Sequence, residues 1–405
     1  MSALIRGSET SEPPQDESRK NMTPLPPPQQ SKRPPFWDIA LVVALAAAAL
    51  VVAHNVVSNM EAAGLNPGFS FLFKEAGFDV SESLIPYRPG DSYARVILTG
   101  LINTLFLAGV SLVLANLAGL AVGLVSVGPS ALGRALAAAY VELFRNLPKI
   151  LILLVLFVTA VNGLPPVRQA IALGPVQISN RSLYLPSIVP DPKQLWLLAA
   201  FLLGGALAYG WRRYAIAWQA RTGRQRSVLG VVALCLSGPP ILAVFFLNVP
   251  LTPSVPVLRG FDFQGGVRLS LQFLVVAVTL GLYHGAQIAE VLRGGIEAVP
   301  NGQTEAAAAL GLKRRHIMRL VVLPQVMRIV LPPLGNQYVN LVKNTSIAIA
   351  VGYSDLMSVT GTIINQTFRP MEMMLITMTL YLGLCLGLTA LLNHLNDGLR
   401  APGRR

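Results

Sequence analysis

The side chains equipped to hold a polar solute are gathered in one stretch of a largely apolar chain. Asn336, Gln337, Asn340, Lys343, Asn344, Thr345 and Ser346 follow closely on one another. Asn336, Asn340, Lys343 and Asn344 recur at the three- and four-residue spacing that lines side chains along one helix face. His284 and Gln287 make a second, smaller group at the same spacing. Polar groups inside hydrocarbon are costly, so binding is the first reading of them. A structural reading stands beside it, because Asn and Ser also bond neighbouring helices and Pro324, Pro332 and Pro333 free backbone carbonyls that need partners. Bond-breaking chemistry has no comparable support: there is no His-Glu-x-x-His, no Gly-x-Ser-x-Gly and no cluster of carboxylates within the apolar runs. Cys235 and Cys385 lie inside apolar runs, where a thiol packs as a small hydrophobe, and no disulfide or metal framework is supported.

The elements that position these groups must be membrane helices. With 53% hydrophobic and 13% charged residues the chain is too apolar for a soluble domain, where roughly a quarter of residues are charged. Crossing ~30 Å of hydrocarbon at 1.5 Å per residue takes about 20 apolar residues. Eight runs approach that length: 36–58, 96–126, 147–163, 195–211, 227–248, 269–290, 321–343 and 371–395. The fold class is therefore an all-α membrane protein of about eight transmembrane helices. The formal charge of +13 fits arginines gathered at the cytoplasmic ends of spans, not nucleic-acid contact. With the N-terminus inside, internal segments hold 20 Lys and Arg and external ones 9, so both termini are expected in the cytoplasm. Residues 1–35, polar and proline-rich, read as a disordered cytoplasmic tail. Residues 59–95 and 164–194 read as external loops with short strands, and 396–405 as a basic cytoplasmic tail.

One segment is out of place in such a chain. Thr304 to Pro324, TEAAAALGLKRRHIMRLVVLP, has the composition of a helix in water. Thr304 is expected as the N-cap, with Glu305 in the first turn, Ala306 to Ala309 carrying high helix propensity, and Gly311 supplying the left-handed residue that ends the helix. A second helix is expected from near Leu312 to Leu323-Pro324, with Lys313, Arg314, Arg315 and Arg319 kept in water. An alanine-rich surface suits close docking into another protein's groove. The plainer reading is an interfacial loop with snorkelling basic residues.

Glu305-Ala306-Ala307, three residues, Gly311, nine residues, Val321, one residue and Leu323-Pro324 resembles the EAA signature of the permease subunits of ABC importers, with Val321 where isoleucine is usual. The stretches 283–312, 324–356 and 141–148 are similar to permeases of the polar amino acid uptake group. The extra first span, the insert near 164–194 and FQGGVRLS at 263–270 look most like the long first permease of a general L-amino acid importer. The resemblance implies a five-helix type I permease core, divided between 96–163 and 267–395. Around it lie an extra span 36–58, a periplasmic loop 59–95, an insert 164–266 with an extra pair of spans, and a coupling segment 300–324. It also implies an ATPase dimer that grips Glu305, Ala306, Ala307, Leu310, Gly311, Leu323 and Pro324, a second homologous permease, and a periplasmic amino-acid-binding protein, all in a bacterial inner membrane. No cofactor is expected in this chain. None of its seven lysines follows a glycine as a phosphate-wrapping loop requires, so ATP and Mg would be used by the partner ATPase.

The expected substrate contacts are Asn336, Asn340, Lys343, Asn344, Gln287 and His284. Many permeases of the group carry Lys-Asp-Thr-Ser where this chain has Lys343-Asn344-Thr345-Ser346, which is expected to leave Lys343 without its nearest counter-charge and to disfavour cationic cargo. Glu142 with Arg145, and Glu290 with Arg293, read as ion pairs near span ends. The competing class is an ion-gradient-driven secondary transporter of small solutes, which would want inverted repeats and carboxylates deep within spans.

Overall fold

The computed structural model describes residues 35–62, 68–189, 191–223 and 227–397. The expectations for the N-terminal tail and for 398–405 lie outside the described residues. Two units are present, one up to Gly68 and one from Phe69 onward. The first holds α1 (Pro35–Ala62), with Asp38 in the turn where a carboxylate meets the positive end of the helix dipole.

In the second unit, α2 (Tyr93–Ser126) and α7 (Leu271–Glu297) lie against each other along their lengths, and small residues make that possible. A Cβ on Gly119 would stand 2.5 Å from Ile288 Cγ2, and one on Gly281 would stand 2.7 Å from Leu114 Cβ. Gly119 with Gly123, and Gly281 with Gly285, are two small-xxx-small pairs that let the backbones approach where lipid offers no hydrophobic drive. Leu107, Val276 and Leu280 fill the space between them, joined by Leu153 of α4 (Lys149–Gly163). On the other side, Val330 and Leu341 of α10 (Leu323–Asn344) pack beside Ile288. α11 (Leu356–Thr367) and α12 (Pro370–Asp397) complete the bundle.

α4 does not continue α3 (Ala131–Asn146); the two meet at 104°. Leu147 precedes Pro148 and is pushed to extended backbone (φ −86°, ψ 136°), which stops α3, and Pro148 then caps α4. α5 (Leu195–Thr222) and α6 (Leu229–Phe246) pair closely, a Cβ on Gly204 falling 2.3 Å from the Cys235 carbonyl oxygen. Among the described residues six helices are long and apolar enough to cross a membrane, or seven if α3 and α4 form one broken span. The count of eight is not reached on that measure.

The segment 164–194 is more ordered than a loop with stray strands. β1 (Ile171–Leu173), β2 (Val176–Ile178) and β3 (Ser182–Leu185) form an antiparallel sheet with β8 (Val267–Ser270), in the order β1-β2-β3-β8. β4 (Ser187–Ile188) pairs with β5 (Pro253–Ser254), and β6 (Val257–Arg259) with β7 (Asp262–Gln264). The sheet thus clasps the two chain ends that lead into and out of the α5/α6 pair, and β8 runs straight into α7 through the Ser270 cap. FQGGVRLS is the return arm of this clasp: Gly266 has φ +71°, and a Cβ there would meet the Leu185 carbonyl oxygen at 2.3 Å.

Segment 69–92 is also tied down, at the end of the core where the sheet lies. Phe71 and Ala76 are buried beside Tyr93 and Val96. Ser81 and Ser354 exchange hydrogen bonds, the Ser81 N–H reaching Ser354 Oγ at 2.9 Å and the Ser354 N–H reaching Ser81 Oγ at 3.2 Å.

Candidate functional site

Two features stand out, one at the far end of α7 and one inside the bundle. At the far end, α8 (Asn301–Ala309) begins three residues before Thr304, with Pro300 as its N-cap. Thr304 lies inside the helix, where its hydroxyl donates to the Asn301 carbonyl at 2.6 Å, so the expected capping role falls to the proline turn. The reason is local: Val299 precedes a proline and is kept out of the helical region, so α7 must stop and a new helix can open directly after Pro300. Glu305 is therefore in the second turn, beyond the reach of the unbonded N–H groups, and it is exposed.

The other end of α8 closes as expected. Gly311 has φ +77°; its N–H bonds the Ala308 carbonyl at 2.9 Å, and the Leu312 N–H bonds the Ala307 carbonyl at 3.3 Å. These are the two bonds of a Schellman motif, and they require the left-handed residue. α8 is held by one contact face: Ala307 is buried among Val299, Ile317, Val322 and Val326. Glu305, Ala306, Leu310 and Gly311 are exposed, Leu310 by 81%, and so are Leu323 and Pro324.

The second helix differs from expectation at both ends. It starts at α9 (Arg314–Ile317), after Lys313, and it does not end at Leu323-Pro324 but passes through a π turn, Met318–Val322, into α10. Pro324 has no N–H to give the preceding turn, and a wider turn accommodates the gap without breaking the helix.

Inside the bundle, three helices bring polar groups together. The Lys149 ammonium, on the first residue of α4, donates to Asn344 Oδ1 on the last residue of α10. Asn344 Nδ2 lies 3.1 Å from His284 Nε2 on α7. Because the amide oxygen takes Lys149, the amide nitrogen must face the ring, and an amide nitrogen only donates. Nε2 is therefore the acceptor and the ring proton sits on Nδ1. His284 is 1% exposed, and Gln337, whose Oε1 is also buried, is its other polar neighbour. Lys149 also stands over the Tyr283 ring, 5.9 Å from its centroid. His284 is 13 residues into α7 from Leu271, so the cluster lies about 20 Å along that helix, within the depth of a hydrocarbon layer.

Of the expected substrate residues, the structure joins His284 and Asn344 only. Gln287 is half-buried one turn further along α7. Asn336, Asn340 and Lys343 are exposed on α10, so the supposed single face is divided, Asn344 turning inward and the other three outward. Asn336 lines a cavity of about 480 Å³ between α10 and α12, with Tyr338, Asn393 and Asn396. Position 344 neighbours Lys149, and the expectation that its carboxylate was lost from Lys343 gives way to that contact. Lys149 itself was legible only as a lysine opening an apolar run. Glu290 pairs with Arg293 at 2.6 Å as expected, but Glu142 accepts from Asn146 Nδ2 at 2.8 Å and forms no ion pair with Arg145.

A third polar group, not anticipated, lies at the sheet end. Asn103, fully buried, donates to the Glu82 and Ser354 carbonyls at 2.9 and 2.8 Å, and the Glu82 carboxylate accepts from the Ser270 N–H. Asp355 caps α11 through the Ser358 N–H at 2.9 Å, and burial pushes its carboxyl up to about 6. Burial also raises Glu82, against the pull of its bonds to Ser270.

A helical membrane core that surrounds a small polar cluster and holds out a short helix at one end is the architecture of a solute permease. Residues 214–401 match the family described as binding-protein-dependent transport system inner membrane component. The protein YhdX of Escherichia coli is 38% identical over 363 residues, covering 89% of this chain and 92% of YhdX. The general L-amino acid transport system permease protein AapQ of Rhizobium johnstonii is 35% identical over 362 residues, 89% of this chain and 90% of AapQ. The glutamate/glutamine/aspartate/asparagine transport system permease protein BztB of Rhodobacter capsulatus is 35% identical over 401 residues, 91% of this chain and 93% of BztB. The chain belongs to this family, the multi-pass permease subunits of bacterial ABC transporters.

Proposed function

We propose that this chain is a transmembrane subunit of an ATP-driven importer that moves L-amino acids of broad, polar character into the cytoplasm by alternating access. The observation that carries the reading is α8: anchored through Ala307, it turns Glu305, Ala306, Leu310 and Gly311 outward at the junction of α7 and α10. An ATPase dimer that closes on ATP and Mg and grips α8 would move both helices as levers. The names of AapQ and BztB supply the cargo class, amino acids. Such an importer further needs a periplasmic binding protein to deliver cargo and a second, homologous permease to complete the pathway between membrane lipids.

The orientation follows from the basic residues. Arg314, Arg315 and Arg319 beside α8 and Arg134 on α3 belong on the cytoplasmic side, which puts the β-sheet and Glu82 in the periplasm and both termini inside. The polar cluster Lys149, His284 and Asn344 then lies on the cargo's route, with Gln287 near it and Asn336, Asn340 and Lys343 on the face of α10 turned to the second permease.

Purification of the tagged chain from its native membrane tests the docking role. The wild type is expected to retain an ATPase subunit, and a Glu305→Lys, Gly311→Trp double variant to lose it. Equal retention by both would refute the role assigned to α8.

A further inference from the structure

Lys149 has fewer partners than its position demands. It is half-buried at the start of α4, where part of its charge is withdrawn from solvent, yet among the described residues it joins no ion pair. Its contacts are one neutral amide oxygen, on Asn344, and the face of Tyr283. An ammonium has three N–H donors, and the amide uses one. The surroundings add positive potential, because Lys149 is the first residue of the 15-residue α4 and the unbonded N–H groups of that helix end gather there.

Resting on the importer reading, we propose that Lys149 selects the cargo by charge: its ammonium receives the side-chain carboxylate or carboxamide oxygen of the transported amino acid and repels a cationic side chain, so that neutral and acidic amino acids pass in preference to cationic ones. The neutral amide at position 344 is what makes this work. An amide holds the ammonium in place and orients His284 without cancelling the charge, whereas a carboxylate there would neutralise Lys149 from within and leave the cargo nothing to neutralise. Lys149 and Asn344 thus act as one unit, one carrying the charge and the other leaving it unpaired.

The experiment uses the complex copurified with this chain, in proteoliposomes with one binding-protein preparation throughout, and reads the uptake ratio of L-glutamate to L-arginine, with L-glutamine as the neutral reference. Lys149→Met and Asn344→Asp are each expected to lower the ratio by about tenfold, the order of one lost charge contact, and Lys149→Arg to keep it. Asn344→Asp is nearly isosteric, so it decides the matter if Lys149→Met does not assemble with its ATPase. A ratio unchanged within about twofold in Asn344→Asp overturns the proposal, as does loss of the ratio in Lys149→Arg. Wild-type complex that takes up none of the three amino acids overturns the importer reading and this inference with it; uptake with an unresponsive ratio overturns the inference alone.

Discussion

Asn344 Nδ2 lies 3.1 Å from His284 Nε2 and joins the last turn of α10 to the middle of α7. These two helices flank α8 in the chain, so the bond ties together the two levers that a coupling helix would move. Asn344→Leu removes this bond and the one to Lys149, leaving buried donors and acceptors unmade at about 1–3 kcal/mol. The variant is expected to unfold several degrees lower in a thermal scan of the complex. His284→Gln in the otherwise unchanged chain keeps an acceptor toward Asn344 and should retain most of the stability that Asn344→Leu loses. Equal unfolding temperatures for wild type and Asn344→Leu would show that the bond contributes nothing.

The contact of α2 with α7 rests on missing side chains. A Gly119→Ala methyl would sit 2.5 Å from Ile288 Cγ2, and overpacking of this kind costs about 1–3 kcal/mol. Thermal unfolding should fall in the single variant and recover in part when Ile288→Ala makes room. Additive losses in the double variant would place the strain elsewhere.

Gly311 is constrained by its backbone alone, for nothing lies within 4 Å of a Cβ placed there. At φ +77° an alanine is strained by about 1 kcal/mol, and the strain falls on the closing bonds of α8. Gly311→Ala is therefore expected to weaken ATPase retention several-fold while shifting the unfolding temperature of the isolated permease little. Titrating ATPase subunit against both forms in detergent separates the two effects. A large drop in stability with unchanged ATPase affinity would contradict it.

Acid should favour the sheet end of the core. Asp355 titrates near 4 when exposed and at about 6 when buried, so between those values the folded chain holds a proton that the unfolded chain has released. Its contribution is most favourable below about pH 4 and is lost as the pH rises through about 6. The raised Glu82 carboxyl adds in the same direction. The gap in unfolding temperature between wild type and Asp355→Asn, which keeps the cap acceptor, should widen in favour of the asparagine as the pH goes from 5 to 8. A gap independent of pH would mean that Asp355 is not protonated in the folded state.

What the sequence made legible followed from local rules. Apolar runs located the long helices, and the alanine-rich stretch before Gly311 located α8 and its closing glycine. The misses share a physical cause, dependence on distant partners. β3 pairs with β8 across the whole α5/α6 insertion, and strands of three or four residues carry no period of their own. Lys149 reads as an ordinary span-end lysine until the 104° bend at Pro148 turns α4 and brings it against Asn344, 195 residues away. Thr304 has the residue type of a cap, but Pro300 opens the helix before it.

The central claim is that transport through this chain is driven by ATP through α8. Its most direct measurement is uptake of radiolabelled L-glutamine into proteoliposomes holding the complex and its binding protein. ATP and Mg are placed on the side where α8 lies, and ion gradients are collapsed. Uptake is expected with ATP, to vanish without it, and to be lost in the Glu305→Lys, Gly311→Trp variant. Uptake that needs an ion gradient and ignores ATP would contradict the account.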